Sequence, residues 1–327
     1  MEASSLTSSS IAPTSAAGGL CRLVAHLHSS GQAAVASADG REAWTPGARA
    51  ELQRLPLEPA VVPSPASIRQ ARKAKGIFIV SFLQSPTESL RANCFNYVCD
   101  RAGYDVEQLD KNGRRDVRRG LRCFSVRRCG AEEIAAKGFP AFGDTESRHG
   151  HLPPTTEDLR DVIACQENDP FVEFWGAWQE ENLAAWLRVL KVDDWAFITN
   201  AYSASVFLRD CPNNALAYEV TRTCLAEEKR AWISYGISSL QATDNILSLH
   251  KFKLRMGYQA LPRVRTFVVR PLLWPLLGTR LAIRWRGRAP RSLAARAAIK
   301  RPAGSAGSPA DTTPPSGQCL PPGPRRG

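Results

Sequence analysis

The stretch FVEFWGAWQEENLAAWLRVLKVDDWAFITNAYSA, residues 171–204, decides how this chain is read. Residues 171–179 form an apolar, aromatic run of strand length. A turn near Glu180–Asn182 leads to a second run at 183–192, and 195–204 is a third. Strands this closely spaced predict an antiparallel meander. Downstream, Pro212 and the pair Asn213-Asn214 suit a helix start. Leu216, Val220, Thr223, Cys224 and Glu227 then follow at helical spacing. AWISYG at 231–236 reads as a strand. A helix from Asp244 to Met256 stops at Gly257, and VRTFVVR at 264–270 is a last strand. The order predicts an α/β (α+β) fold, a mixed, mostly antiparallel sheet with helices packed on it.

Upstream, GIFIVSFL at 76–83 is a strand. Ser85, Pro86 and Glu88 form a helix-start signal, with Leu90, Cys94, Tyr97 and Val98 near one face and Gly103 as the stop. The Arg-rich run 114–119 predicts a short helix ended by Gly120. CFSVRR at 123–128 alternates like a strand, AEEIAAKGF reads as a short helix, and 155–168 as a longer one. DTESRHGHLPP reads as a polar loop.

The two ends differ from this middle. Residues 1–70 are rich in Ala, Ser, Pro and Gly, and 276–327 are basic and rich in Pro, Arg and Ala. Such text buries too little surface to offset chain ordering. Three regions follow: a low-complexity, disordered extension at 1–70, a folded domain at 71–275, and a basic tail at 276–327. The net charge of +12 resides mostly in residues 271–327, which hold ten Arg or Lys and one Asp. The charge therefore says little about the core. None of the nine cysteines forms a CxxC, and no Cys/His spacing suits zinc, so no metal site and a reducing, cytoplasmic location are expected. No signal peptide or membrane-spanning segment is read from the sequence; the nearest apolar window, 269–285, contains prolines and arginines. It leaves a surface-docked segment open.

CPNNALAYEVTRTCLAEEKRAWISYGISSL at 211–240, followed by SLHKFKLRMGY at 248–258, resembles the GNAT superfamily of N-acetyltransferases. More narrowly it resembles the FemA/FemB-like aminoacyltransferases. LDKNGRRDVRRGL at 109–121 is similar to the basic segment of that branch, and FKLRMGY at 252–258 to its "FK..fG" ending. The resemblance covers roughly 105–270. It implies a GNAT-like sheet split by a V-shaped opening and amide-forming acyl transfer. The donor is acyl-CoA in many members and a charged tRNA in the FemA/FemB branch. No tightly bound cofactor is expected. This chain departs from the superfamily at the pyrophosphate loop: residues 203–216 contain no glycine. Backbone amides at Asn213, Asn214 and Ala215, with Arg209, are the remaining candidates to hold a donor phosphate. Pro212 lacks an N–H.

Acyl transfer to an amine needs proton removal and oxyanion stabilisation. Glu173 and Glu219, both amid apolar text, are the candidate carboxylates, and Tyr235 the candidate acid. The resemblance places the HKFK segment near the donor end, making Lys251 a donor contact. Lys253 is a candidate substrate contact on the same ground, with a side chain expected to face solvent. Arg115, Arg118, Arg148, His149, Asn245 and Tyr258 are candidate substrate contacts. The Arg cluster, with the basic tail, also offers a surface for tRNA or another polyanion. The expected acceptor is an amine on a small molecule or peptide. Two other readings stay open: a noncatalytic small-molecule or protein-binding domain of the same fold, and a nucleic-acid-associated protein. The sequence leaves the oligomeric state open.

Overall fold

The computed structural model describes residues 17–47, 50–57, 62–150, 153–164, 169–239 and 244–270. The expected basic tail and His151 lie outside these residues. The chain opens with α1 (Ala17–Ser29), β1 (Val35–Ala36), β2 (Ala43–Pro46), β3 (Glu51–Leu55) and α2 (Pro65–Lys73). It continues through β4 (Ile79–Gln84), β5 (Cys94–Cys99), α3 (Lys111–Cys123), β6 (Ser125–Cys129), α4 (Ala131–Lys137), α5 (Phe139–Arg148) and α6 (Thr156–Ala164). The meander follows as β7 (Val172–Gln179), β8 (Asn182–Val192) and β9 (Trp195–Ser203). The chain then forms α7 (Pro212–Arg222), β10 (Trp232–Ser239), α8 (Asp244–Arg255) and β11 (Gln259–Val269).

The strands join in one sheet, ordered β1-β2-β3-β4-β11-β5-β10-β9-β8-β7-β6. Neighbours are antiparallel except β3/β4 and β9/β10. One face carries a core that includes Val117 of α3, Leu216 and Val220 of α7 and Met256 beside α8. The opposite face packs against Leu20, Leu23 and Leu27 of α1.

The expected extension at 1–70 is overturned for residues 17–57. Leu20, Leu23, Val24 and Leu27 are buried at the spacing of an amphipathic helix. Trp44 and Leu52 are fully buried, and β3 pairs directly with β4. The abundant small residues conceal these few large side chains. The folded unit therefore begins well before residue 71.

The helix expected after Ser85 is overturned too. Thr87 and Leu90 form an isolated bridge, and CFNYVC is strand β5, flanked by β10 and β11. Cys94 and Val98 enter one core while Tyr97 and Cys99 enter the other. Burial on both faces removes the polar alternation that would mark a strand. DTESR lies in α5 rather than in a loop.

The basic helix α3 runs through Gly120 to Cys123 instead of stopping there. Its buried residues are Gly113, Val117 and Gly120, which share one face. An added Cβ would lie 2.4 Å from the Arg255 carbonyl oxygen at Gly113 and 2.5 Å from that of Cys211 at Gly120. These glycines let α3 lie against the end of α8 and the start of α7. Gly120→Ala is expected to destabilise the protein by about 1–3 kcal/mol, overriding a helix-propensity gain of about 1 kcal/mol. Urea unfolding would check this, and a stabilised variant would rule out the close approach.

Candidate active site at the split between two parallel strands

β9 and β10 pair only at Trp195–Trp232, Ala196–Ile233 and Phe197–Ser234. Beyond that point the two strands separate. Each carries an irregularity at the point of parting. On β9 the register against β8 shifts between Ile198 and Asn200, and on β10 the register against β5 shifts between Ser234 and Ile237. Gly236 takes a φ of +75°, which its lack of a Cβ permits, and its N–H donates to Ser234 Oγ at 3.1 Å. Bulges bend strands and increase twist, so two at adjacent positions open a V between the strand ends. Helices α7 and α8 follow these two strands in the chain. The carboxyl ends of parallel strands are where open α/β sheets bind ligands.

Beside the split, packed on β5 and β10, lies a buried lysine. Lys253 of α8 is 3% exposed, contrary to the expectation that it faces solvent. Its Nζ lies 4.2 Å from the Tyr97 ring centre and 5.2 Å from that of Tyr235, and donates to Ser238 Oγ at 3.4 Å. Burial pushes its pKa down to about 7, and no carboxylate among the described residues offsets that effect. Tyr97 is fully buried, and its hydroxyl contacts His250 Nδ1 at 2.8 Å. Burial raises the Tyr97 and Tyr235 phenols.

At the far end of β9 a polar knot pins the glycine-free loop. Arg148 donates to Ser203 Oγ, the Ser203 carbonyl oxygen and Thr145 Oγ1 at 2.8–2.9 Å, and to Ser205 Oγ at 2.6 Å. Asn213 Nδ2 reaches the same Ser203 Oγ at 3.1 Å. Two residues read separately as substrate and donor contacts thus meet on one serine. The amides of Asn214 and Ala215 already donate to the Cys211 carbonyl oxygen at 3.1 and 3.3 Å. Asn214 Nδ2 turns to Met256 Sδ, and Ala215 is fully buried under α3. The expected phosphate cradle is therefore not formed at Asn214 and Ala215. Arg209 is exposed on the short 3₁₀ turn Ser205–Asp210.

Several other expected residues lie elsewhere. Glu173 is on β7, separated from β9 by β8, and pairs with Lys191 at 2.7 Å and Arg128 at 3.1 Å. Its carboxylate sits in this ion-pair network and, with Arg128 and Phe174, lines a surface pocket beside β7, away from the strand split. Glu219 is held by Arg222 one turn on, at 2.9 Å. Tyr258 is buried with its hydroxyl 2.6 Å from Thr221 Oγ1, which withdraws it from substrate. Lys251 is exposed, opposite in character to Lys253. Arg115 pairs with Asp116 at 2.8 Å and Arg118 with Glu107, so the basic face of α3 is partly neutralised although still exposed. His149 is exposed at the end of α5. Asn245 falls in the first turn of α8, and its side chain is outside the described residues. Tyr235 alone of the expected catalytic residues lies at the split. Sequence reasoning named Lys253 as a contact but placed it toward solvent, and it missed Tyr97, Ser238 and His250. The available signal was the three-residue spacing from His250 to Lys253 along one helix face.

No group of three or more His, Cys, Asp or Glu side chains among the described residues is arranged to hold a metal, and no helix there is long and apolar enough to cross a membrane.

No protein-family model matches the sequence, and no curated protein matches it. Solved structures do match. FemX aligns over 79% of this chain and 93% of its own, at 11% identity and a TM-score of 0.51. L-PGS from Bacillus licheniformis aligns over 80% of this chain and 96% of its own, at 14% identity and a TM-score of 0.45. PaiA N-acetyltransferase from Thermoplasma acidophilum, in complex with coenzyme A, aligns over 33% of this chain and 74% of its own, at 12% identity and a TM-score of 0.27. The split mixed sheet is GNAT-like in fold, and the FemX alignment makes its arrangement FemAB-like.

Proposed function

We propose that this protein is an N-acyltransferase that forms an amide bond between an activated acyl or aminoacyl donor and an amine on a small molecule or peptide. The observation that carries the proposal is Lys253, a lysine buried against the Tyr97 and Tyr235 rings beside the strand split, where burial lowers its pKa to about 7. In such a reaction the amine nitrogen attacks the donor carbonyl carbon, the carbonyl π electrons move to oxygen, and the leaving oxygen or sulfur later departs with a proton. An ammonium in a low-dielectric wall stabilises the tetrahedral oxyanion more strongly than one in water. Its neutral form can take the proton that the amine loses. The faces of Tyr97 and Tyr235 hold the cation by their quadrupoles. Tyr235 then serves through its ring, with its hydroxyl protonated.

The occupied amides at the start of α7 favour an aminoacyl donor over acyl-CoA. A pyrophosphate would have to displace the Cys211 carbonyl from Asn214 and Ala215, and Pro212 offers no N–H. Even with Arg115 and Arg118 paired to acids, α3 carries a marked excess of basic residues, and its exposed face suits a charged tRNA.

The test incubates the full-length protein separately with charged tRNA and with acyl-CoA, each with a panel of amines, and reads amide products by mass spectrometry. The expected result is product from the aminoacyl donor, lost in Lys253→Met. Absence of product and of donor-dependent thermal stabilisation across the panel would refute the proposal and favour a noncatalytic binding role.

A further inference from the structure

We propose that Lys253, Ser238, Tyr97 and His250 form a proton relay that connects the buried amine beside the strand split to the part-buried His250 on the same helix. The inference rests on the reading of Lys253 as the working amine of the site, but its geometry and its test stand apart from catalysis. Lys253 Nζ reaches Ser238 Oγ at 3.4 Å, at the long end of a hydrogen bond. Ser238 stands close enough to the Tyr97 hydroxyl to act on it as a donor, partly offsetting the rise that burial causes in the phenol's pKa. Tyr97 OH meets His250 Nδ1 at 2.8 Å. Lys253 and Tyr97 are almost wholly buried and Ser238 is 9% exposed, whereas His250 is only part-buried. The chain thus runs from a dry end to a wetter one.

The irregularity in β10 is what builds this chain. Ser234 and Ser238 are four residues apart, so a regular strand would point both to one face. Instead Ser234 Oγ donates to Asn96 Oδ1, whereas Ser238 joins Tyr97. Asn96 and Tyr97 are consecutive on β5 and face opposite sides. The extra residue between Ser234 and Ile237 flips the face of everything after it. It brings Ser238 round to the lysine. On α8, His250 and Lys253 are three residues apart and share a side.

The step conserves atoms and charge. Lysine ammonium gives a proton to Ser238 Oγ, the serine proton passes to Tyr97 Oη, and the phenolic proton passes to His250 Nδ1. The result is a neutral lysine and an imidazolium, and the reverse transfer recharges the lysine. The titratable groups that face Lys253 are Tyr97 from β5 and Tyr235 from β10, with His250 on its own helix reaching it through Tyr97.

Hydrogen exchange at Lys253 Nζ tests the relay in the full chain labelled with 15N-lysine and followed by NMR. Tyr97→Phe keeps the ring over the ammonium and deletes the bridging hydroxyl, and His250→Gln removes the terminal base. Each is expected to slow exchange of the Nζ protons about tenfold or more. Ser238→Ala should act in the same way. Thermal unfolding of each variant identifies any that fails to fold, and the remaining variants carry the test. Exchange as fast in the folded variants as in the wild type would overturn the relay. This readout needs no turnover, so a wild-type protein without transferase activity would count against the proposed function alone. If transfer is present, the same variants should lower kcat with KM unchanged, and added imidazole should restore part of the loss in His250→Ala. Wild-type kcat in both Tyr97→Phe and His250→Gln would also overturn the relay.

Discussion

Lys253→Met is expected to make the protein more stable by about 2–4 kcal/mol near neutral pH while abolishing acyl transfer. The stability gain follows from proton linkage. The lysine titrates at 10.5 in a solvated chain and at about 7 in the fold. Between those values the unfolded chain holds a proton that the folded chain has released. Falling pH therefore favours unfolding across that window, and the penalty reaches its full size below about 7. A displacement of this size corresponds to roughly 4–5 kcal/mol at 1.36 kcal/mol per unit. Lost contacts with Ser238 and the two tyrosine rings return part of it. Methionine fills a similar volume and carries no charge. Urea unfolding of both proteins at a series of pH values would show a gain that is largest near and below neutrality and shrinks as pH rises toward that of free lysine. A gain that does not vary with pH, or a destabilised variant, would mean that Lys253 is not held as described. Stability retained at the cost of activity is the usual signature of a group kept for function.

Trp44→Ala is expected to cost about 3–5 kcal/mol. Trp44 is fully buried on β2, packs edge-on against Phe82 of β4 at 6.3 Å, and donates Nε1–H to Ser67 Oγ at 2.8 Å. That serine in turn donates to Glu42 Oε1 at 2.6 Å, and Glu42 pairs with Arg54. The substitution opens a cavity and removes one anchor of a buried polar chain. Chemical unfolding would measure the loss, and limited proteolysis would show the β1–β4 side of the sheet opening first. A change below about 0.5 kcal/mol, as expected for an exposed site, would make residues 17–57 a dispensable extension after all.

The strand meander and the two helices after it were legible because each carries a local signature. The runs at 171–204 have strand length and turn residues between them, and α7 has apolar spacing behind Pro212. β5 was misread because a cap-like Ser85-Pro86 preceded a segment apolar on both faces. Glu173 and Glu219 looked catalytic because a carboxylate amid apolar text is conspicuous. Yet Glu173 answers Lys191 across the sheet, and Glu219 answers Arg222 one turn away. Lys191 itself sits between Glu173 and Glu228, a pairing of residues far apart in the chain.

Residue order alone determined the meander, the starts of α7 and α8 and the glycine-free loop between β9 and α7, since strand period, helix capping and the need for glycine are local properties. Only the tertiary structure decided that residues 17–57 join the sheet, that β9 and β10 part at paired irregularities, and that Lys253 rather than Lys251 enters the protein. Strand partners, burial and the pKa shift that burial causes depend on residues distant in sequence, and no window of the chain contains both partners.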